Sequence, residues 1–220
     1  MRLEMPDDSH NASELKPLRI KCTSADCSNN LHCFLSTKKL QVQGAVGRCR
    51  YCGADLVNWA RVHQRSVSDV QHTFASLHLE LVRHFFWHVP LSARAINHAR
   101  RKGMAALNTF ASSQLRKLIG AGRHPLEGRQ TPRETSPSAN AIHYAQHATA
   151  TCCRKCLAEW HGIPEGTTLT DDDILYLTML VMSYVKERIP DLKDSAVAVP
   201  PVRRARSTSR KLRSRPATEA

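Results

Sequence analysis

The chain lacks any long apolar run. No segment approaches the roughly eighteen uninterrupted apolar residues of a membrane-spanning helix, and residues 1–15 carry acids where a secretory signal would have its apolar stretch. These absences predict a cytoplasmic protein with no membrane span, in a compartment where thiols stay reduced. Eight cysteines in that setting indicate metal binding more often than disulfides.

Acidic residues are also few relative to basic ones. The chain has 19 Asp and Glu against 32 Lys and Arg, which gives a net charge of +13 with His neutral. Such an excess favours a polyanionic partner, and DNA or RNA is the first candidate. An acidic protein or a membrane surface comes second.

Aromatic side chains make up only 5% of the 220 residues, so a core must rest mainly on Leu, Val, Ala and Met. The length allows one ordinary domain and a small satellite. We expect a mainly α fold with the following order: a flexible lead over 1–18, a zinc ribbon of short β hairpins over 19–58, a helical domain over 66–191 and a disordered Arg-rich tail over 195–220.

Within the ribbon, the alternation over 40–43 predicts a short strand. Further on, apolar residues at helical spacing predict a helix from about Asp69 to Pro90: Val70, Phe74, Leu77, Leu81. A second helix begins after Ser92, although Gly103 argues against its being unbroken.

The last helix carries the clearest start signal in the chain. Thr170 and Asp173 have the spacing of a capping box. A broad apolar face follows: Ile174, Leu175, Leu177, Val181, Tyr184, Val185.

The first cysteine cluster consists of two thiolate pairs about twenty residues apart: Cys22, Cys27, Cys49 and Cys52. This spacing is typical of a four-cysteine zinc site. Gly53 suits the turn that brings backbone amides to the sulfurs. Such a closed site folds a module that is too small to fold alone. His32 and Cys33 lie between the pairs, with packing roles or with Cys33 in place of Cys27.

The second cluster places six potential ligands within nineteen residues: His143, His147, Cys152, Cys153, Cys156, His161. A second zinc site of His147, Cys153, Cys156 and His161 is reasonable, with Cys152 as an alternative to Cys153. The site is either closed and structural, or open with a water and hydrolytic. Buried thiols without metal, or a reactive cysteine beside His147, are the remaining readings.

Several catalytic motifs are absent from the sequence. The glutamate that a zinc deaminase needs after its histidine does not follow His147. The His-Glu-x-x-His helix of zinc proteases, Gly-rich phosphate loops and the Gly-x-Ser-x-Gly elbow do not occur either.

Three short runs carry a resemblance: Gly128-Arg-Gln-Thr-Pro132, then Ala145-Gln-His-Ala-Thr-Ala-Thr-Cys-Cys-Arg-x-Cys156, then Trp160-His-Gly-Ile-Pro164. Together they resemble a family of small bacterial proteins catalogued as a domain of unknown function. The similarity covers roughly residues 83–191. It implies that the second cluster is the centre of that domain, and it supplies no activity.

The sequence as a whole predicts a protein that binds two zinc ions and contacts nucleic acid. Basic residues of the second helix, the second cluster and the tail would neutralise phosphates: Arg100, Arg101, Lys102, Arg154, Lys155, Arg203, Arg204, Arg206, Arg210, Lys211. One alternative is a metal-dependent enzyme that acts on nucleic acid or a phosphorylated substrate, with Arg129 and Arg154 for anionic groups and Glu159 as a base. Another is a zinc-stabilised adaptor for a protein partner.

Overall fold

A computed structural model describes residues 20–122 and 131–199. The lead over 1–18, Arg129 and the tail arginines from Arg203 onward lie outside these residues. Eight helices follow one another in the described part: α1 Lys38–Val42, α2 Trp59–Val62, α3 Val70–Leu77, α4 Leu81–His88, α5 Ala93–Ile119, α6 Ala141–Ala148, α7 Arg154–His161 and α8 Asp171–Arg188. Two short 3-10 turns, Cys27–Asn29 and Val67–Asp69, complete them. The mainly α fold is confirmed.

The N-terminal region contains less β structure than expected. Within the described residues, pairing is limited to two isolated bridges, Asp26 with Leu31 and His32 with Glu80. The strand expected over 40–43 is wrong, because α1 occupies this segment and the Thr37 side chain caps it by accepting from the Leu40 N–H. Val42 is 89% exposed, so the alternation does not mark a buried face.

The helix expected from Asp69 to Pro90 is divided into α3 and α4. The intervening residues pair with the N-terminal region: His32 N–H donates to the Leu79 carbonyl at 2.7 Å, and Leu81 N–H donates to the His32 carbonyl at 3.0 Å. A helix cannot continue where its backbone groups bond to another segment. The break leaves Glu80 buried between the two helices.

Helix α5 changes direction at Gly103, as its sequence suggested. Gly103 has φ 72° and ψ 168°, which are not helical values. The change brings Phe110 to within 5.1 Å of His98, measured between ring centroids. The N–H groups freed at Met104 and Ala105 donate to the carbonyls of Lys193 and Asp194. The segment after α8 therefore completes the kink.

Helix α8 begins as predicted. Both hydrogen bonds of the capping box between Thr170 and Asp173 are present. The predicted apolar face is buried except at Leu175, which is 51% exposed. The helix packs against α3, α5 and α6.

One hydrophobic cluster contains side chains from both the N-terminal region and the helical region. Phe34 lies 5.8 Å from Trp59 and 5.8 Å from Trp160, and the two indoles are 5.1 Å apart. The two regions thus share a core, while the domain boundaries predicted from sequence stay a prediction. None of the helices over 20–122 and 131–199 is long and apolar enough to cross a membrane.

The kink generates a prediction for Gly103→Ala. A Cβ at this position would lie 2.4 Å from the Ser195 carbonyl carbon, and its φ of +72° disfavours side chains. We expect a loss of about 1–3 kcal/mol in the free energy of unfolding, measured in urea. Gly44→Ala is the matched control, since φ there is +64° with no atom within 4 Å. An equal loss in both variants would contradict the role of the Ser195 contact.

Candidate metal centres

The first centre is a group of four side chains. The Sγ atoms of Cys27, Cys49 and Cys52 and a ring nitrogen of His32 all lie within 4.8 Å of one another. Cys27 Sγ is 3.7 Å from Cys49 Sγ, and Cys52 Sγ is 3.4 Å from His32 Nδ1. Three sulfurs and one nitrogen form a ligand set that zinc takes in closed, four-coordinate sites. The group could therefore hold a metal ion.

Two turns bring these ligands together. The bridge from Asp26 to Leu31 folds the chain back after Cys27, so that His32 returns to the same place. Asn30 Oδ1 lies 3.0 Å from His32 Nε2, which leaves Nδ1 facing the sulfurs. The second turn closes where Gly53 N–H donates to the Cys49 carbonyl at 2.8 Å, with Gly53 at φ +75°. This is the turn that the sequence indicated.

The ionisation of these adjacent thiols favours a bound cation. Burial raises the pKa of the Cys49 thiol, but backbone hydrogen bonds from Cys33, Cys52 and Tyr51 outweigh it and bring the value to about 6. Burial and the neighbouring thiols raise the pKa of Cys27 to about 12. Several adjacent thiols cannot all ionise unless a positive charge lies between them.

Cys22 is not part of this group, which corrects the four-cysteine set predicted from sequence. His32 takes the fourth position, because its backbone pairing with Leu79 and Leu81 fixes it beside Cys27. Cys33 does not replace Cys27 either. Its buried thiol donates to the Cys22 carbonyl at 3.3 Å.

The second centre lies at the start of α7. The Sγ atoms of Cys152, Cys153 and Cys156 lie within 4.8 Å of one another, and Cys152 Sγ is 3.5 Å from Cys156 Sγ. Cys153 is the N-cap of α7, so Cys156 lies in its first turn. Both Cys152 and Cys153 belong to the group, although the sequence offered them as alternatives.

The histidines predicted to bind the same metal ion as these cysteines bond to backbone carbonyls instead. His147 Nε2 lies 2.9 Å from the Thr131 carbonyl, and its ring stacks on Phe86 at 4.5 Å. His161 Nε2 lies 3.0 Å from the Thr149 carbonyl. Burial lowers the pKa of both imidazoles to about 4, so each is neutral and held by a backbone acceptor. The predicted site of two histidines and two cysteines is therefore not assembled.

His143 has a different role from the other two. It forms a capping box with Asn140 at the start of α6: the Asn140 side chain accepts from the His143 N–H, and the His143 ring accepts from the Asn140 N–H. This side chain completes a helix end.

A buried ion pair borders the second centre, and sequence reasoning missed it. Arg83 and Glu80 are each 3% exposed, and Arg83 Nε donates to Glu80 Oε2 at 2.9 Å. Arg83 Nη2 also donates to Cys156 Sγ at 3.3 Å, while Trp160 Nε1 donates to Glu80 at 2.7 Å. The only signal in the sequence is a Glu and an Arg three residues apart in an apolar stretch.

Arg83 favours the thiolate form of Cys156. Hydrogen bonds from Cys152 and Cys153 are the largest causes that hold the pKa of Cys156 well below its usual value, and the charge of Arg83 adds to them. Burial raises the pKa of Glu80, and Arg83 opposes that effect. A buried arginine beside a thiolate is the kind of outer partner that orients a metal ligand.

A cavity of about 230 Å³ opens beside Cys153 and Cys156 of the second centre. Its lining includes Cys22, Arg83, Cys153, Lys155, Cys156 and Glu159. Glu159, the predicted base, accepts from the Ser36 N–H at 2.9 Å and so connects α7 to the N-terminal region. Burial raises its pKa.

Among the described residues, the basic side chains predicted to contact phosphates fall into three groups. Arg154 is buried and donates to the carbonyls of Ile119, Pro164, Glu165 and Thr167, so its predicted phosphate contact is wrong: it joins the end of α5 to the loop before α8. Arg100 pairs with Asp191, and Lys102 Nζ lies 4.4 Å over the Phe110 ring. Arg101 and Lys155 are exposed.

The family comparison agrees with the resemblance seen in the sequence. A family model described as a domain of unknown function, DUF4186, matches residues 71–186. This span contains the second centre and the buried ion pair, whereas the four residues of the first centre lie ahead of it. No solved structure matches the chain.

The first centre predicts that His32→Ala weakens the binding of one metal ion per chain, because three sulfurs remain where four ligands stood. Zinc per chain after gel filtration in the presence of a competing chelator measures this. His88→Ala is the control, since His88 is exposed and its Nδ1 bonds to the His84 carbonyl within its own helix. Full zinc content in His32→Ala would show that His32 is not a ligand.

The buried histidines predict a loss of stability in acid. The unfolded imidazole takes up a proton near pH 6.5 but folded His161 does so only near 4, so the stability is full above 6.5 and falls as the pH approaches 4. For His161 the loss is up to about 3 kcal/mol at pH 4.

Urea unfolding at pH 7 and pH 4.5 of the wild type and His161→Gln measures it. Acid also protonates thiolates in both proteins, so the difference between them is decisive. Parallel losses would contradict the neutral, buried state of His161.

Proposed function

This chain belongs to the DUF4186 family, a domain of unknown function, and we propose that it is a zinc-binding protein that contacts nucleic acid. The main support for zinc binding is the first centre, where three sulfurs and one imidazole nitrogen lie within 4.8 Å of one another. Thiolate and imidazole together suit zinc, while carboxylate-rich sites suit magnesium or calcium. The closed ligand set supports a structural role for this ion.

A second zinc ion would lie at the three sulfurs of the second centre. The buried Arg83 guanidinium donates to Cys156 Sγ at 3.3 Å, which supports thiolate character there. A hydrolytic role for this ion would have needed His147 and His161 beside it. Their bonds to backbone carbonyls leave the proposed enzyme without its expected ligands.

The nucleic-acid contact is proposed for the exposed side of the first half of α5. Arg94 and Arg101 are seven residues apart, so they project from the same side of the helix, with His98 between them. Both are exposed, and within the described residues neither forms an ion pair with a carboxylate. Arg100, by contrast, is paired with Asp191. Unpaired arginines on one helical side are suited to phosphate oxygens.

The charge of the whole chain supports the same proposal. The net charge of +13 favours polyanions. The arginines after residue 200 would add phosphate contacts to those of α5: Arg203, Arg204, Arg206, Arg210, with Lys211. Contacts of this kind hold a backbone without reading its sequence.

Fluorescence anisotropy with labelled duplex DNA, single-stranded DNA and RNA tests the proposal. We expect binding that weakens steeply as salt rises. The double variant Arg94→Gln, Arg101→Gln should bind more weakly to every sequence, and its slope of log affinity against log salt should fall by about two. The reason is the loss of two phosphate contacts.

Arg100→Gln is the matched control on the same helix, because Asp191 already neutralises Arg100. Its salt slope should stay close to that of the wild type. If zinc is bound but no nucleic acid binds at low salt, the nucleic-acid proposal fails and the adaptor for a protein partner takes its place.

A further inference from the structure

The second centre is one ligand short of a closed zinc site. Structural zinc ions take four protein ligands, and Cys152, Cys153 and Cys156 supply three. The adjacent cavity of about 230 Å³ is lined by side chains that could supply a fourth, namely Cys22, Glu80 and Glu159. The nature of this ligand decides whether the ion is enclosed by protein or open to solvent.

Cys22 lines the same cavity as Cys153 and Cys156. It is partly buried and has no place in the first centre, where His32 is the fourth ligand. Cys22 is therefore part of the first cysteine cluster in the sequence, but in the structure it lies beside the second centre.

The backbone around Cys22 is held in place at three carbonyls. The Ile20 carbonyl accepts from Arg133 Nη1 at 3.3 Å, and the Cys22 carbonyl accepts from Cys33 Sγ at 3.3 Å. The Thr23 carbonyl accepts from Tyr51 Oη at 2.6 Å. These bonds fix the segment at the edge of the cavity and leave the Cys22 side chain free of them.

Other side chains at the cavity fit the fourth position less well. Glu159 already accepts from the Ser36 N–H, and Lys155 carries a positive charge. Glu80 also lines the cavity, but its carboxylate accepts from Arg83 Nε and Trp160 Nε1. Arg83 is a donor only and bonds to the sulfur of Cys156. The remaining thiol matches the other three ligands in chemistry.

We propose that Cys22 is the fourth ligand of a zinc ion bound by Cys152, Cys153 and Cys156. This inference rests on the proposed binding of two zinc ions. The Cys22 sulfur lies outside the 4.8 Å group, so it reaches the ion by a change of side-chain rotamer. The second zinc is then enclosed by four thiolates and fastens residues 20–24 to the start of α7.

The full-length chain, loaded with zinc, provides the test. X-ray absorption at the zinc edge counts the sulfur and nitrogen neighbours, and a chromophoric chelator reports the rate of zinc release. The wild type should hold two zinc ions. The first should have three sulfur neighbours and one nitrogen, and the second should have four sulfur neighbours, namely three from the second centre and that of Cys22.

Cys22→Ser should lose one sulfur and release its second zinc about tenfold or more faster, because even outer partners of a metal site change affinity by that amount. Cys33→Ser is the matched control, since it removes a neighbouring thiol while the serine hydroxyl can still donate to the Cys22 carbonyl. It should change neither quantity. Cys22→His should restore slow release, with nitrogen in place of sulfur.

Two results would overturn the proposal. The first is two bound zinc ions with an unchanged sulfur count and release rate in Cys22→Ser, which would assign the fourth position to water or Glu159. The second is alkylation of Cys22 by iodoacetamide in the zinc-loaded wild type. If Cys22 is instead protected until a chelator is added, that result supports the proposal. This measurement does not depend on whether Cys22→Ser folds. Fewer than two zinc ions in the wild type would instead contradict the proposed function itself.

Discussion

The backbone pairing of His32 with Leu79 and Leu81 is the interaction on which both candidate centres depend. It ends α3 and separates it from α4, and it fixes His32 where its ring meets the sulfurs of the first centre. It also leaves Glu80 buried, where that carboxylate is neutralised by Arg83. Arg83 in turn donates to Cys156 in the second centre.

A buried ion pair of this kind is costly to create and more costly to break. Taking Glu80 and Arg83 out of water costs several kcal/mol for each charge, and only good geometry with further hydrogen bonds compensates for it. Trp160 supplies one such bond to Glu80, and the His147 carbonyl accepts another from Arg83. The network is therefore satisfied on both sides, and its position fixes how the N-terminal region lies against α7.

Most local signals in the sequence were reliable, although the alternation over 40–43 marked a helix and not a strand. Long-range signals were not visible. The capping box at Thr170, the turn at Gly53 and the break at Gly103 each depend on a few neighbouring residues, and each was predicted correctly. The choice of His32 over Cys22 depends on pairing with residues nearly fifty positions away, which spacing alone does not reveal. The same is true of Arg154, whose acceptors are carbonyls of separate segments. Histidines beside cysteines suggested ligands, yet backbone carbonyls of Thr131 and Thr149 bind them.

The segment after α8 has a further consequence for the proposed interface. It completes the kink at Gly103, and Val197 N–H donates to the Arg100 carbonyl at 2.9 Å. The described chain thus ends close to Arg101, only a few positions in sequence before Arg203. If both sets of arginines contact one polyanion, the second set binds as a tethered partner of the first, at an effective concentration set by this short spacer. Two individually weak contacts would then act as a single bivalent one. Its strength would depend on where the segment after α8 lies as much as on the charges themselves.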